Sequence, residues 1–110
     1  MARSSTDLLR GTLDLLILRS LALGALHGWA LAQRIEQQSE HLLRIGQGSL
    51  YPALRRLEQQ GWIQSEWRTT EDNRPARFYT LTASGRRALT AETKSWRQYV
   101  YAVDLILDGR

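Results

Sequence analysis

Residues 48–61 read GSLYPALRRLEQQG, and the side chains there that can do chemistry are Tyr51, Arg55, Arg56 and Gln59. Arginine offers a planar fork of donors that matches two phosphate oxygens or the O6 and N7 of guanine, and glutamine matches adenine. At about 100° per residue, Tyr51, Pro52, Arg55, Arg56 and Gln59 fall on one side of a helix. Leu50, Ala53, Leu54 and Leu57 fall on the other. This is equipment for gripping a polyanion rather than for making bonds. The apolar side requires a scaffold, and the polar side must stay open. A merely solvated helix face would look the same in isolation.

Two features frame this helix. Gly61 stands where a left-handed C-cap would be needed. Pro52 is tolerated in a first helical turn, where the amides lack partners anyway. A start at Gly48 or Ser49 puts it there, whereas a start at Gly46 leaves it inside the helix with a slight kink.

The charge distribution supports the same chemistry. The 110-residue chain has a net charge of +4 and a pI near 10.1, and the span 44–87 carries eight arginines against four acids. The flanking spans are balanced, so the whole excess lies around this helix. Fourteen of the fifteen basic residues are arginine, which suits bidentate contacts, although a GC-rich coding sequence would give the same bias. There is no cysteine, which excludes disulfides, thiolate metal sites and a cysteine nucleophile. His27 and His41 lie far apart in sequence, so no metal site and no cofactor are expected. No nucleophile–base motif and no phosphate-binding glycine loop occur, so an enzyme is not expected. Asp7, Arg10 and Asp14 interrupt any signal-peptide core, and the apolar run over 15–26 is too short for a bilayer. A soluble cytoplasmic protein without membrane contact is expected.

The rest of the chain must position the 48–61 helix. Apolar residues recur over 8–23 on more than one stripe (Leu9, Leu13 and Leu16; Leu8, Leu15 and Leu18), which predicts a first helix buried on several sides. A second helix is expected over 29–39, with Trp29, Leu31, Ala32 and Ile35 on its inner face. The period then changes to two. WIQSEWRT (62–69) and ARFYTL (76–81) read as strands around the turn TEDNRP (70–75), which makes a hairpin with a charged tip. Arg74 and Arg77 are its best phosphate contacts. Arg68, near the acids of this hairpin, is a poorer one. Trp29, Trp62 and Trp67 are read as core or strand residues.

Thr82 is read as the N-cap of a last helix over 83–108. Leu89, Trp96 and Val103 repeat every seven residues, as do Thr93, Val100 and Leu107, and together they form an a/d stripe. Such a stripe favours packing against the same helix of a second copy. The order helix, helix, helix, hairpin, helix predicts a mainly α fold with a small β-hairpin. It is a winged helix-turn-helix domain over 1–82, with one long C-terminal dimerisation helix over 83–110.

The runs GSLYPALRRLEQQGWI (48–63), ARFYTLTASGRRAL (76–89) and GTLDLLILRSLALGALHGWALAQRI (11–35) resemble the PadR-like transcriptional regulators. The resemblance covers most of the chain. It implies a homodimeric bacterial repressor on a palindromic operator in double-stranded DNA. By it, Ser49, Tyr51, Pro52 and Arg56 match the recognition-helix motif, and the segment 73–77 matches the wing. It also implies a small aromatic or cationic effector between subunits near a tryptophan of the last helix, here Trp96. Packing of Trp96 in the dimer core with Leu89, Val100, Val103 and Leu107 is the alternative. A winged-helix protein-interaction module without DNA binding, and a small-molecule-binding dimer, stay open beside the repressor.

Overall fold

The computed structural model describes residues 5–109, the side chains of 5–10 excepted. Four helices and three strands follow in the order α1 (Ser5–Leu21), β1 (Leu26–His27), α2 (Gly28–Gln38), α3 (Gln47–Gln59), β2 (Ile63–Thr69), β3 (Pro75–Leu81) and α4 (Ala83–Leu107). The fold is a winged helix. α1, α2 and α3 pack around a common core, and a small antiparallel sheet closes one side.

The core is apolar and sealed. Leu13, Ile17, Leu18 and Leu21 of α1 meet Leu31 and Ile35 of α2 and Leu50, Ala53, Leu54 and Leu57 of α3; Ile63 and Tyr79 cover them from the sheet. The apolar spacing predicted for α3 is the buried set of the structure. On α1 the buried positions occupy adjacent stripes, as expected, while Leu8 and Leu9 lie outside the described side chains.

The ends of the elements have identifiable causes. His27 caps α2, its Nδ1 accepting from the Ala30 amide at 3.3 Å. α3 ends in a Schellman motif: the Trp62 amide donates to the Leu57 carbonyl at 3.1 Å and the Gly61 amide to Glu58 at 2.9 Å. Gly61 has φ +74°, a conformation that costs a side-chain-bearing residue energy. Thr82 caps α4 by accepting from the Gly85 amide at 3.0 Å, and its hydroxyl donates to the Gly61 carbonyl at 2.7 Å. A Cβ on Gly85 would lie 2.0 Å from the Trp62 carbonyl oxygen, so only glycine lets α4 start this close to the end of α3.

The sheet order is β1-β3-β2. β2 and β3 form the expected hairpin, in register from Ile63↔Leu81 to Thr69↔Pro75. Pro75 opens β3 instead of ending the turn, which is compatible with its missing amide because it sits at the last ladder position. β1 was not expected. It is two residues long, too short for any alternation, and it exists because Leu26 and His27 lie against Tyr79 and Phe78 on the free edge of β3.

Trp29 departs from the expected core, whereas Trp67 is a strand residue, as expected, on an open part of β2. Trp29 and Trp67 are 64% and 66% exposed. Trp29 stands in the first turn of α2, outside the Leu31–Ile35 stripe, and its ring stacks on His27 instead. Trp67 lies toward the far end of β2, under the guanidinium of Arg77.

Candidate nucleic-acid interface

α3 starts at Gln47 with Gly46 as its N-cap, so Pro52 lies inside the helix rather than in its first turn. Of the two starts open from the sequence, the structure has the earlier. The Gly46 carbonyl holds the first turn by accepting from the amides of Ser49 and Leu50 at 3.1 and 3.0 Å. Pro52 has no N–H to offer the carbonyl one turn back, at Gly48. That position is exposed, where water can satisfy it.

With Leu50, Ala53, Leu54 and Leu57 turned inward, Tyr51, Pro52, Arg55 and Gln59 are exposed on the opposite side. Ser49 is half-buried on the flank. Arg56 differs from its neighbour. Its Nη2 donates to Asp14 Oδ1 of α1 at 2.8 Å, and both side chains are largely shielded. The reason is angular. Arg56 lies ~100° further round the helix than Arg55, on the border with Ala53 that faces α1. A lone acid within the apolar run of α1 waits for it there. The sequence reading grouped the two arginines; the structure separates an outward Arg55 from an anchored Arg56.

The hairpin is joined to α3 near its base, and its tip lies over β1 and the start of α2. Its tip is built by Thr70: the Thr70 amide donates to the Arg74 carbonyl at 2.8 Å, and Thr70 Oγ1 accepts from the Arg74 amide at 3.2 Å. Asn73, at φ +61°, makes the reversal, a conformation asparagine tolerates. Arg74 is exposed on this tip. Arg77, lower on β3, donates through Nε to Ser65 Oγ at 2.8 Å, and Ser65 in turn donates to Glu58 of α3 at 2.8 Å. Its guanidinium also lies 5.8 Å from the centre of the Trp67 ring, within cation–π range. Ser65 therefore ties the hairpin to α3, and Arg77 is bonded to it while remaining exposed. Arg68 is paired with Glu66 and lies over Phe78, which offsets its charge. Beneath this network the Tyr79 hydroxyl has its pKa raised, first by burial and then by the charge of Glu58.

A second cluster lies on α4. Leu89 packs on the core, and Val100 and Val103 are half-buried, but Trp96, Tyr99, Ile106 and Leu107 are 42%, 52%, 77% and 75% exposed. Trp96 borders two open clefts between α1 and α4. One, of about 710 Å³, includes Leu15, Leu16 and Val100, and the other, of about 210 Å³, includes Leu15, Glu92 and Tyr99. The described residues hold no group of three or more potential metal ligands and no helix long and apolar enough to cross a membrane.

Three contributors escaped the sequence reading: Asp14, Gly28 and the Ser65–Glu58 bond. Asp14 left a signal, a carboxylate inside an apolar helix. Gly28, on which the Tyr51 ring packs, left none that a helix wheel could detect.

Comparison with known proteins fits this geometry. The model of the transcriptional regulator PadR-like family matches residues 17–91. The chain is 40% identical over 86 residues to the transcriptional regulator Rv3488 of Mycobacterium tuberculosis, covering 78% of this chain and 77% of that protein. Among solved structures, a PadR family transcriptional regulator from Eggerthella lenta superposes with a TM-score of 0.78 at 33% identity, over 94% of this chain and 88% of that one. A transcriptional regulator from Clostridium thermocellum gives 0.81 at 26% identity, over 89% and 95%.

Proposed function

Because the chain belongs to the PadR-like family of transcriptional regulators, we propose that it binds double-stranded DNA as a homodimer. α3 is the recognition helix, and the hairpin tip over 70–74 is the wing. The observation that carries this reading is the division of α3. Its four apolar side chains are at most 1% exposed, which fixes the helix rigidly. Tyr51, Arg55 and Gln59 are exposed on the other side, and Arg74 and Arg77 are exposed on the hairpin. Rigid presentation of arginine and amide groups on a helix is what base-edge and phosphate contacts need. Arg56, held by Asp14, orients α3 against α1 and lies at the margin of the contact.

Residues 83–110 serve as the dimerisation element, and residues 1–82 as the DNA-binding head. The exposed stripe of α4 supports this, since a second copy would cover Trp96 and Leu107 together with the half-buried Val100 and Val103. A dimer of this kind reads a palindromic site. Occupying promoter DNA with both heads blocks access for polymerase, so repression is the expected outcome. The clefts beside Trp96, with Glu92 at one mouth, support a planar aromatic or cationic effector bound at the subunit boundary.

The test is a titration of fluorescent DNA, selected from a random pool by the wild-type protein, with wild type and Arg55→Ala. The variant should remain dimeric and bind at least about 10-fold more weakly, the loss expected of one base-reading arginine. Wild-type affinity should also fall steeply with salt. Undiminished binding by Arg55→Ala overturns the assignment of α3. Failure of the wild type to enrich any DNA favours the protein-interaction module.

A further inference from the structure

Gly28 is the first residue of α2 and is buried, although helix starts are normally open to solvent. Its φ is not in the left-handed region, so backbone conformation does not call for glycine. What does is Tyr51. A Cβ on Gly28 would lie 2.7 Å from the Tyr51 hydroxyl oxygen and 3.1 Å from both Cε1 and Cζ of the ring. The phenol of α3 thus rests directly on the backbone of α2, with 44% of the residue still exposed. His27, capping α2 from the preceding position, fixes the backbone on which the ring lies.

We propose that Gly28 is a positioning residue for DNA recognition: its missing side chain lets Tyr51 lie across the start of α2 in one orientation, hydroxyl against the α2 backbone, which sets the shape of the exposed face that α3 offers to the DNA. The inference rests on the reading of α3 as the recognition helix. A tyrosine on an exposed helix face otherwise samples several rotamers, and ordering it on binding costs affinity. Holding it beforehand in the free protein removes that cost and fixes where the exposed part of the ring can meet the DNA. The alternative, that the α2 backbone itself requires glycine here for folding, predicts that Gly28→Ala lowers stability with or without the ring. On the present reading alanine leaves the fold unharmed once the ring is removed, because the Gly28 φ is outside the left-handed region.

A double-mutant cycle separates these. Wild type, Gly28→Ala, Tyr51→Ala and the double variant are titrated against the DNA selected by the wild type, with thermal melts in parallel and Arg55→Ala as a control. Gly28→Ala should weaken binding about 10-fold, Tyr51→Ala at least as much, and the double variant no more than Tyr51→Ala alone, because the two changes disable one contact. Should Gly28→Ala lower the melting temperature, recovery in the Tyr51→Ala background supports the same contact. Multiplying losses in the double variant, wild-type binding by Gly28→Ala, or a melting loss that persists without the ring each overturns the proposal. If Arg55→Ala binds undiminished, the recognition-helix reading has failed first, and the proposal falls with it.

Discussion

Leu50, Leu54 and Leu57 on α3 are at most 1% exposed, whereas Ile106 and Leu107 near the end of α4 are 77% and 75% exposed. Both helices carry an apolar stripe of helical spacing. On α3 the stripe meets α1, α2 and the sheet, and its partners belong to the same chain. On α4 the first turns meet the core, through Gly85, Ala88 and Leu89, the stretch to Val100 borders α1 across open clefts, and Ile106 and Leu107 are exposed. The head is therefore a closed unit held by its own burial. Outer α4 is an open unit whose apolar surface costs free energy until something covers it. The contrast places stability in one region and leaves in the other the apolar surface on which the proposed dimer would form.

Mutations should respect that division. The largest effect is expected in the head: Leu54→Ala should lower unfolding free energy by about 2–5 kcal/mol, a loss readable in urea titrations. A loss under 1 kcal/mol would mean the core is less sealed than its burial implies. Val100→Asp, on the open stripe, should act elsewhere. It should weaken self-association by about 2 kcal/mol or more, roughly 30-fold, because a carboxylate would be buried at the boundary between copies. Sedimentation should show monomer at concentrations where the proposed wild-type dimer holds, while the circular dichroism of the head is unchanged. Collapse of the head in Val100→Asp would erase the distinction between the two regions.

How far the sequence revealed these regions follows from the range of the interactions involved. Caps and periodicities are local, so Thr82 before α4, Gly61 after α3 and the inner face of α3 were all readable. The hairpin was readable for the same reason, since its two-residue alternation and the turn at Asn73 are short-range. β1 was not, because two residues carry no period and the strand exists only through β3. Trp29 was assigned inward by size and spacing, yet its position in the first turn of α2 lies off the buried stripe. Arg56 shows the limit most clearly. A helix wheel places it near Arg55, but its direction is set by Asp14, 42 positions earlier in the chain. The Gly28–Tyr51 contact is of the same kind, a meeting of two helices that neither segment announces.

The central claim is that two closed heads, joined through the open stripe, place two copies of α3 on one face of DNA. Hydroxyl-radical footprinting of the wild-type protein on its selected DNA tests this most directly. Two protected patches related by two-fold symmetry are expected, one helical turn apart, about 34–36 Å, or a whole multiple of it. A single protected patch, or two patches on opposite faces of the duplex, would contradict it.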